Sequence, residues 1–368
     1  MTKILIAPDS FKGSISALDA AKEIENGWRS VRPADEVAII PLADGGEGTL
    51  DAISFVRGGT YIQKSVLAPD GRSVDAKWLL LDDGTALVEL ASASGLPLMN
   101  ELAPLTAHTF GFGELLKDAA VHPLTKRIIA TVGGSASTDG GAGALSALGF
   151  VFFDHNNQVI ELGGSALSKV RRIDSTKAIE APSGGVVVLT DVTNPLLGPK
   201  GAAAIFAPQK GASQVEIEVL ESALRNFAEV MGGESEASGT GAAGGTSFGL
   251  ATLWGAQIQS GASYLFDALG INEEVQSANL VITGEGALDS QSWDGKVIGT
   301  LARITESAEK HIWAIVGIDK SSGIHGPLGE VISLTELAGD KTTATNDVRQ
   351  WLQVAGKRAA ELFNRESN

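Results

Sequence analysis

The chain contains no cysteine. That excludes disulfides, thiolate metal sites and cysteine nucleophiles, and it suits a reducing compartment such as the cytoplasm. Basic residues are scarce: 28 Lys and Arg stand against 44 Asp and Glu, a formal charge of −16. Such a balance argues against nucleic acid as the main partner, because phosphate backbones select basic surfaces. A nucleotide remains compatible, since exposed charges beyond about 8 Å are largely screened at physiological salt. No apolar run reaches the length of a membrane span, so none is expected. Met1-Thr2-Lys3 leads straight into an apolar run, so no signal peptide is expected.

Several catalytic signatures are also missing. Gly295-Lys296 is followed by Val297, and the spacing before it does not make a Walker A loop. His108, His122, His155, His311 and His325 show no paired zinc-ligand spacing. No G-x-S-x-G elbow exists, which speaks against a serine hydrolase. A single G-x-G-x-x-G, Gly239 to Gly244, follows polar loop sequence rather than a strand, so it reads as an ordinary glycine loop.

What the chain has in excess is glycine, 45 of 368 residues. Much of it lies in turns after short apolar runs, where positive φ or close backbone approach is useful. Five such runs stand out. Ile4–Ala7 ends in Asp9-Ser10-Phe11-Lys12-Gly13, and Val37–Leu42 in Asp44-Gly45-Gly46-Glu47-Gly48. Ile128–Val132 ends in Gly133-Gly134-Ser135, Val186–Thr190 in Asp191-Val192-Thr193-Asn194, and Leu280–Thr283 in Gly284-Glu285-Gly286. Short apolar runs bounded by turn residues read as buried parallel strands, and open α/β sheets bind ligands at the carboxyl ends of their strands. A rim of amide donors, carboxylates and one lysine suits a phosphorylated ligand with a divalent cation.

The first 60 residues alternate strand and helix, with helices expected near Ser16–Arg29 and Glu47–Val56. From Tyr61 to Leu90 turn signals separate strand-like runs, which reads as antiparallel hairpins, and Phe150–Ile160 repeats the pattern. Strand and helix alternate again from Leu280 to Phe363. The expected architecture is α/β with two domains. One is a discontinuous Rossmann-like parallel-sheet domain, residues 1–62 plus 272–368. The other is an inserted mixed α/β domain, residues 63–271, with the active site in the cleft between them. Gly232–Gly245 reads equally as a flexible loop or a mobile flap.

The candidate site residues each have a bland alternative. Gly133-Gly134-Ser135 through Asp139 precedes a helical stretch, so it suits an anion; a plain strand–helix connection is the other reading. Asp191 at a strand end suits a proton acceptor or a magnesium ligand, or else an Asx turn before Pro195. Lys12 and Lys210 suit contacts to phosphate or carboxylate, against solvated surface lysines. Glu285 and Asp289, four apart on an expected loop, suit Mg²⁺ through oxygen; the alternative is a pair of capping acids.

In order along the chain, the segments IAPDSFKGSISA (6–17), PLADGGEGT (41–49), ASASGL (91–96), GGSASTDGGAGALSALG (133–149), DVTNPLLGPKGAAAIFAPQKGA (191–212), GAAGGTSFGL (241–250) and LVITGEGALDSQSWDGK (280–296) resemble glycerate kinase of the bacterial type I class. The resemblance implies transfer of the ATP γ-phosphoryl to D-glycerate, giving 2-phosphoglycerate, with Mg²⁺. It implies a cytoplasmic enzyme, monomer or homodimer, acting on small molecules without nucleic acid or membrane. Catalytic roles fall to Asp191, Lys12 and Asp44; substrate contacts to Asp9, Ser10, Asn194 and Lys210; nucleotide contacts to Gly133, Gly134, Ser135, Asp139 and Lys296; metal ligation to Glu285 and Asp289. Two departures bear on loop shape: Val297-Ile298 stands where a proline is expected soon after Lys296, and Ala207 where glycine is expected. The other readings are a non-catalytic sensor of small hydroxy acids and a kinase for a different hydroxy acid.

Overall fold

The computed structural model describes residues 2–11, 13–43, 45–293, 297–321 and 323–366. The first strands in chain order are β1 (Lys3–Pro8), β2 (Glu36–Ile39), β3 (Thr60–Leu67), β4 (Ser73–Leu80), β5 (Thr85–Glu89), β6 (Arg127–Thr131) and β7 (Val151–Phe153). They are followed by β8 (Arg172–Asp174), β9 (Val186–Leu189), β10 (Gln257–Gln259), β11 (Leu280–Leu288), β12 (His311–Asp319) and β13 (Val331–Ser333). The chain divides into two compact units. The first comprises Met1–Asp44, Asp51–Arg57 and Ala262–Asn368; the second comprises Gly45–Leu50 and Gly58–Gly261. The short stretch 45–50 thus belongs with the middle of the chain, not with the strand before it.

The first unit is built on a five-stranded sheet in the order β13-β12-β11-β1-β2, every pair parallel. Renumbered within the unit the order is 2-1-3-4-5, a doubly wound arrangement whose direction reverses between β1 and β11. Ile4, Leu5, Ile6 and Ala7 are all fully buried, as expected of a strand covered on both faces. On one face, Ile4, Ile6, Leu280 and Ile282 pack with Ala20, Ile24 and Trp28 of the helix Ala17–Arg29 and with Leu352, Ala355 and Ala359 of the helix Val348–Glu366. The first of these helices starts where Ser16 accepts the Asp19 amide, an N-cap satisfying a donor the helix cannot.

The second unit holds a six-stranded sheet in the order β10-β9-β6-β5-β4-β3. Strands β3, β4 and β5 pair antiparallel, while β5, β6, β9 and β10 run parallel. Phe112, Leu115, Leu116 and Ala119 of the helix Phe110–Val121 join Trp78, Val88 and Ile128 in its core.

Three local expectations change. Strand β11 does not turn at Gly284; it stays paired with β12 to Leu288, because Gly284 and Gly317 let the two backbones approach. A Cβ on Gly284 would lie 2.4 Å from the Ile315 carbonyl oxygen, and one on Gly317 would lie 2.4 Å from that of Gly286. The expected hairpin closes at its turn, with the Asn157 amide on the Asp154 carbonyl and Phe153 bridged to Val159, but residues 151–153 also pair with β8, which the sequence did not suggest. The glycine-rich stretch ending at Gly245 is packed at its carboxyl end: a Cβ on Gly241 would meet the Pro195 carbonyl oxygen at 2.2 Å, and one on Gly244 the Ser137 carbonyl oxygen at 2.2 Å.

Candidate functional site

In the first unit the reversal of strand order places two chain segments side by side. Pro8 pairs with Gly284, and the Asp9 amide donates to the Gly284 carbonyl at 2.8 Å. Asp9 therefore stands beside Glu285 on the neighbouring strand, at the position where doubly wound sheets open a crevice. The Asp9 carboxylate accepts the Ser10 amide at 2.6 Å. Glu285 and Asp289 are not on one loop as their spacing suggested. Glu285 lies within β11, whereas Asp289 follows its last residue, Leu288. The Asp289 amide donates to Ser292 Oγ at 3.1 Å. No cluster of three or more His, Asp or Glu suited to a metal occurs among the described residues. Lys12, Asp44 and Lys296 lie outside the described residues.

In the second unit the carboxyl ends of β5, β6 and β9 are adjacent, because those strands pair in parallel. Gly133 follows β6, and its amide donates to the Gly45 carbonyl at 3.3 Å. A Cβ on Gly133 would lie 2.6 Å from the Gly46 Cα, and one on Gly45 would meet Leu189 at the end of β9. The 45–48 turn is thus laid across the ends of β6 and β9, and only glycine permits the approach at Gly133. Glu89, at the end of β5, is buried, and one of its carboxylate oxygens accepts the Thr49 amide at 3.3 Å. Asp191 follows β9 with its carboxylate half-buried and accepting the Ser260 hydroxyl at 2.9 Å. Asn194 acts as a brace: its side-chain amide donates to the Lys200 carbonyl at 2.7 Å, and its own carbonyl accepts the Gly241 amide at 2.9 Å.

The Gly133–Asp139 stretch divides in two. Among the described residues, the Gly134 and Ser135 amides donate to no other protein group, whereas Ala136 donates to Ser94 and Gly133 to Gly45. The amides further on are committed. Asp139, fully buried, accepts five hydrogen bonds: from the Thr109 amide and hydroxyl, the Ser137 hydroxyl, and the amides of Gly141 and Gly143. Ala144 at the start of the next helix donates to the Thr109 hydroxyl. The helix entry is therefore capped from within, and the carboxylate of Asp139 faces protein donors.

Lys210 is only 2% exposed. Its ammonium donates to Ser135 Oγ at 2.8 Å and to the Ser137 carbonyl. Burial pushes its amine down to about 7, against a smaller opposing pull from Asp139. His108, also buried near Asp139, is lowered by burial; its Nδ1 accepts the Phe110 amide at 3.3 Å, so a neutral ring carries its proton on Nε2.

The family model described as "Glycerate kinase family" matches residues 4–364. The chain belongs to the glycerate kinase family. It is 41% identical to a glycerate kinase of Bacillus subtilis (strain 168) over 86% of this chain and 85% of that one. It is 40% identical to the glycerate 2-kinase of Escherichia coli (strain K12), over the same shares. A solved chain from Salmonella typhimurium LT2, provisionally named glycerate kinase 2, superposes with a TM-score of 0.83 at 34% identity, covering 100% of this chain and 99% of that one. This family member is accordingly an α/β kinase enzyme, with ATP the co-substrate its family implies. Among the described residues no helix is long and apolar enough to cross a membrane.

Glu89 and Ser260 were not among the residues singled out from sequence. Glu89 had a usable signal, a charged residue closing a five-residue strand that is buried throughout. Ser260 had none, because it lies 69 residues from Asp191 and only the pairing of β9 with β10 brings them together.

Proposed function

We propose that this kinase transfers the γ-phosphoryl of ATP to a hydroxyl of D-glycerate, giving 2-phospho-D-glycerate. The observation that carries the reading is the convergence of Gly45, Glu89, Gly133–Ser135 and Asp191 at the carboxyl ends of adjacent parallel strands. The Gly134 and Ser135 amides offer donors to phosphate oxygens. Asp191, oriented by Ser260, accepts the proton of the attacking hydroxyl, and Asp44 is the second candidate for that role. Lys12 and Ser10 hold the acid's carboxylate, a compact cation and a hydroxyl being suited to it.

Magnesium bound with a nucleotide typically keeps several waters and takes one or two protein carboxylates beside the phosphates. Glu285 and Asp289 are the carboxylates that the sequence offers for that ion. Asp9 stands beside Glu285 on the neighbouring strand, so it is a further carboxylate that would hold such an ion together with Glu285.

The test is acceptor turnover. ATP consumption should require D-glycerate, and phosphorus NMR should place the product's phosphate on carbon 2. Asp191→Asn should lower kcat by about 10²–10³ with little change in Tm. A variant retaining more than about half of wild-type kcat removes Asp191 from proton transfer and moves the role to Asp44, for which Asp44→Asn is the matched measurement.

A further inference from the structure

Two buried charges lie under the Gly133–Ser135 turn, and the transfer step proposed above uses neither. Lys210 comes from the segment Pro208–Lys210, 75 residues from Ser135 and 73 from Ser137, and binds both. Asp139 gathers Thr109, Ser137, Gly141 and Gly143 around one carboxylate. Ser137 joins the two, with its carbonyl on Lys210 and its hydroxyl on Asp139 at 3.3 Å. Gly244 closes the third side, where its backbone touches Ser137 and its carbonyl accepts the Gly140 amide. A buried ammonium and a buried carboxylate are tolerated only when such donors and acceptors replace water.

We infer that Lys210 is a positioning residue for nucleotide, not a contact for the acid: with Ser137 and Asp139 it holds the turn so that the Gly134 and Ser135 amides point outward, set for phosphate before any arrives. The inference rests on the reading of that turn as the phosphate cradle. Its physical basis is pre-organisation. Donors held in place bind an anion without the cost of ordering a loop. Two of the three Lys210 ammonium hydrogens are directed at Ser135 and Ser137, and the side chain is enclosed by protein, so the group is occupied in holding the turn and little of it is open to a three-carbon acid.

The experiment uses the full chain, with steady-state kinetics in both substrates and calorimetric titration of MgATP alone. Lys210→Met should raise KM and Kd for ATP by about tenfold or more while KM for glycerate stays within about twofold. Thr109→Val removes one donor to Asp139 at a distance from the turn, and should raise the ATP values by about threefold in the same one-sided manner. A folded Lys210→Met with ATP constants within about twofold of wild type overturns the inference, as does a rise confined to glycerate. Should Lys210→Met fail to fold, Thr109→Val decides, and unchanged ATP constants there count against it. If the wild type consumed no ATP with glycerate, the assigned reaction would fall, yet the MgATP titrations would still decide the role of Lys210.

Discussion

Lys210 shows how far one side chain's chemistry depends on enclosure. Exposed, a lysine amine titrates near 10.5; here burial brings it down to about 7. Between those values the unfolded chain holds a proton that the folded chain has released. Stability therefore rises with pH across that window, by up to about 1.4 kcal/mol per pH unit. Lys210→Met abolishes this contribution. Denaturant unfolding at about pH 7, 8 and 9 should show the wild type gaining on the variant at each step, and a constant difference would refute the burial of a titrating amine. Asp139 has the complementary lesson. Its place in a glycine-rich turn suggested an anion site, but a carboxylate surrounded by five donors serves the turn's own backbone. The sequence shows that an acid is present; it does not show which way the oxygens face.

At the scale of elements, β11 is the instructive case. The apolar run Leu280–Thr283 identified a strand, and the glycines after it read as a turn. They are instead the reason the strand continues, since Gly284 and Gly317 remove the side chains that would hold β11 and β12 apart. Glycine has two uses, bending a chain and admitting a neighbour, and local sequence does not separate them. Gly317→Ala should cost about 1–3 kcal/mol by driving a methyl group into the Gly286 carbonyl. Urea unfolding checks this, and a variant within about 0.5 kcal/mol of wild type would show that the strands yield easily. Continuation of β11 also keeps Glu285 within the strand, where the register with β1 sets it beside Asp9.

At the scale of the molecule, the two chain ends close the first unit against each other. The helices Ala17–Arg29 and Val348–Glu366 touch backbone to backbone through reciprocal glycines. A Cβ on Gly27 would lie 2.0 Å from the Gln353 carbonyl oxygen, and one on Gly356 would lie 2.2 Å from that of Ile24. Arg349 adds ion pairs to Asp19 and Glu23 across the same seam. Gly27→Ala forces the helices apart and should lower stability by about 3 kcal/mol, which is roughly 6 °C or more in Tm. Calorimetry showing no loss in Tm would mean that the helices separate at little cost.

Read from the primary structure alone, the chain declares its class, its strands and its chemistry. Buried apolar runs, helix periodicity and turn residues are local properties, and the ordered family motifs name a glycerate kinase. Which residues become neighbours was decided only by folding. Parallel pairing of β5, β6 and β9 brings Gly45, Glu89, Gly133 and Asp191 together, and the fold encloses Lys210 and Asp139 among protein partners. The physical reason is that propensity and polarity act over a few neighbouring residues, whereas adjacency, burial and the direction of a charged group are set by partners that lie tens or hundreds of residues away.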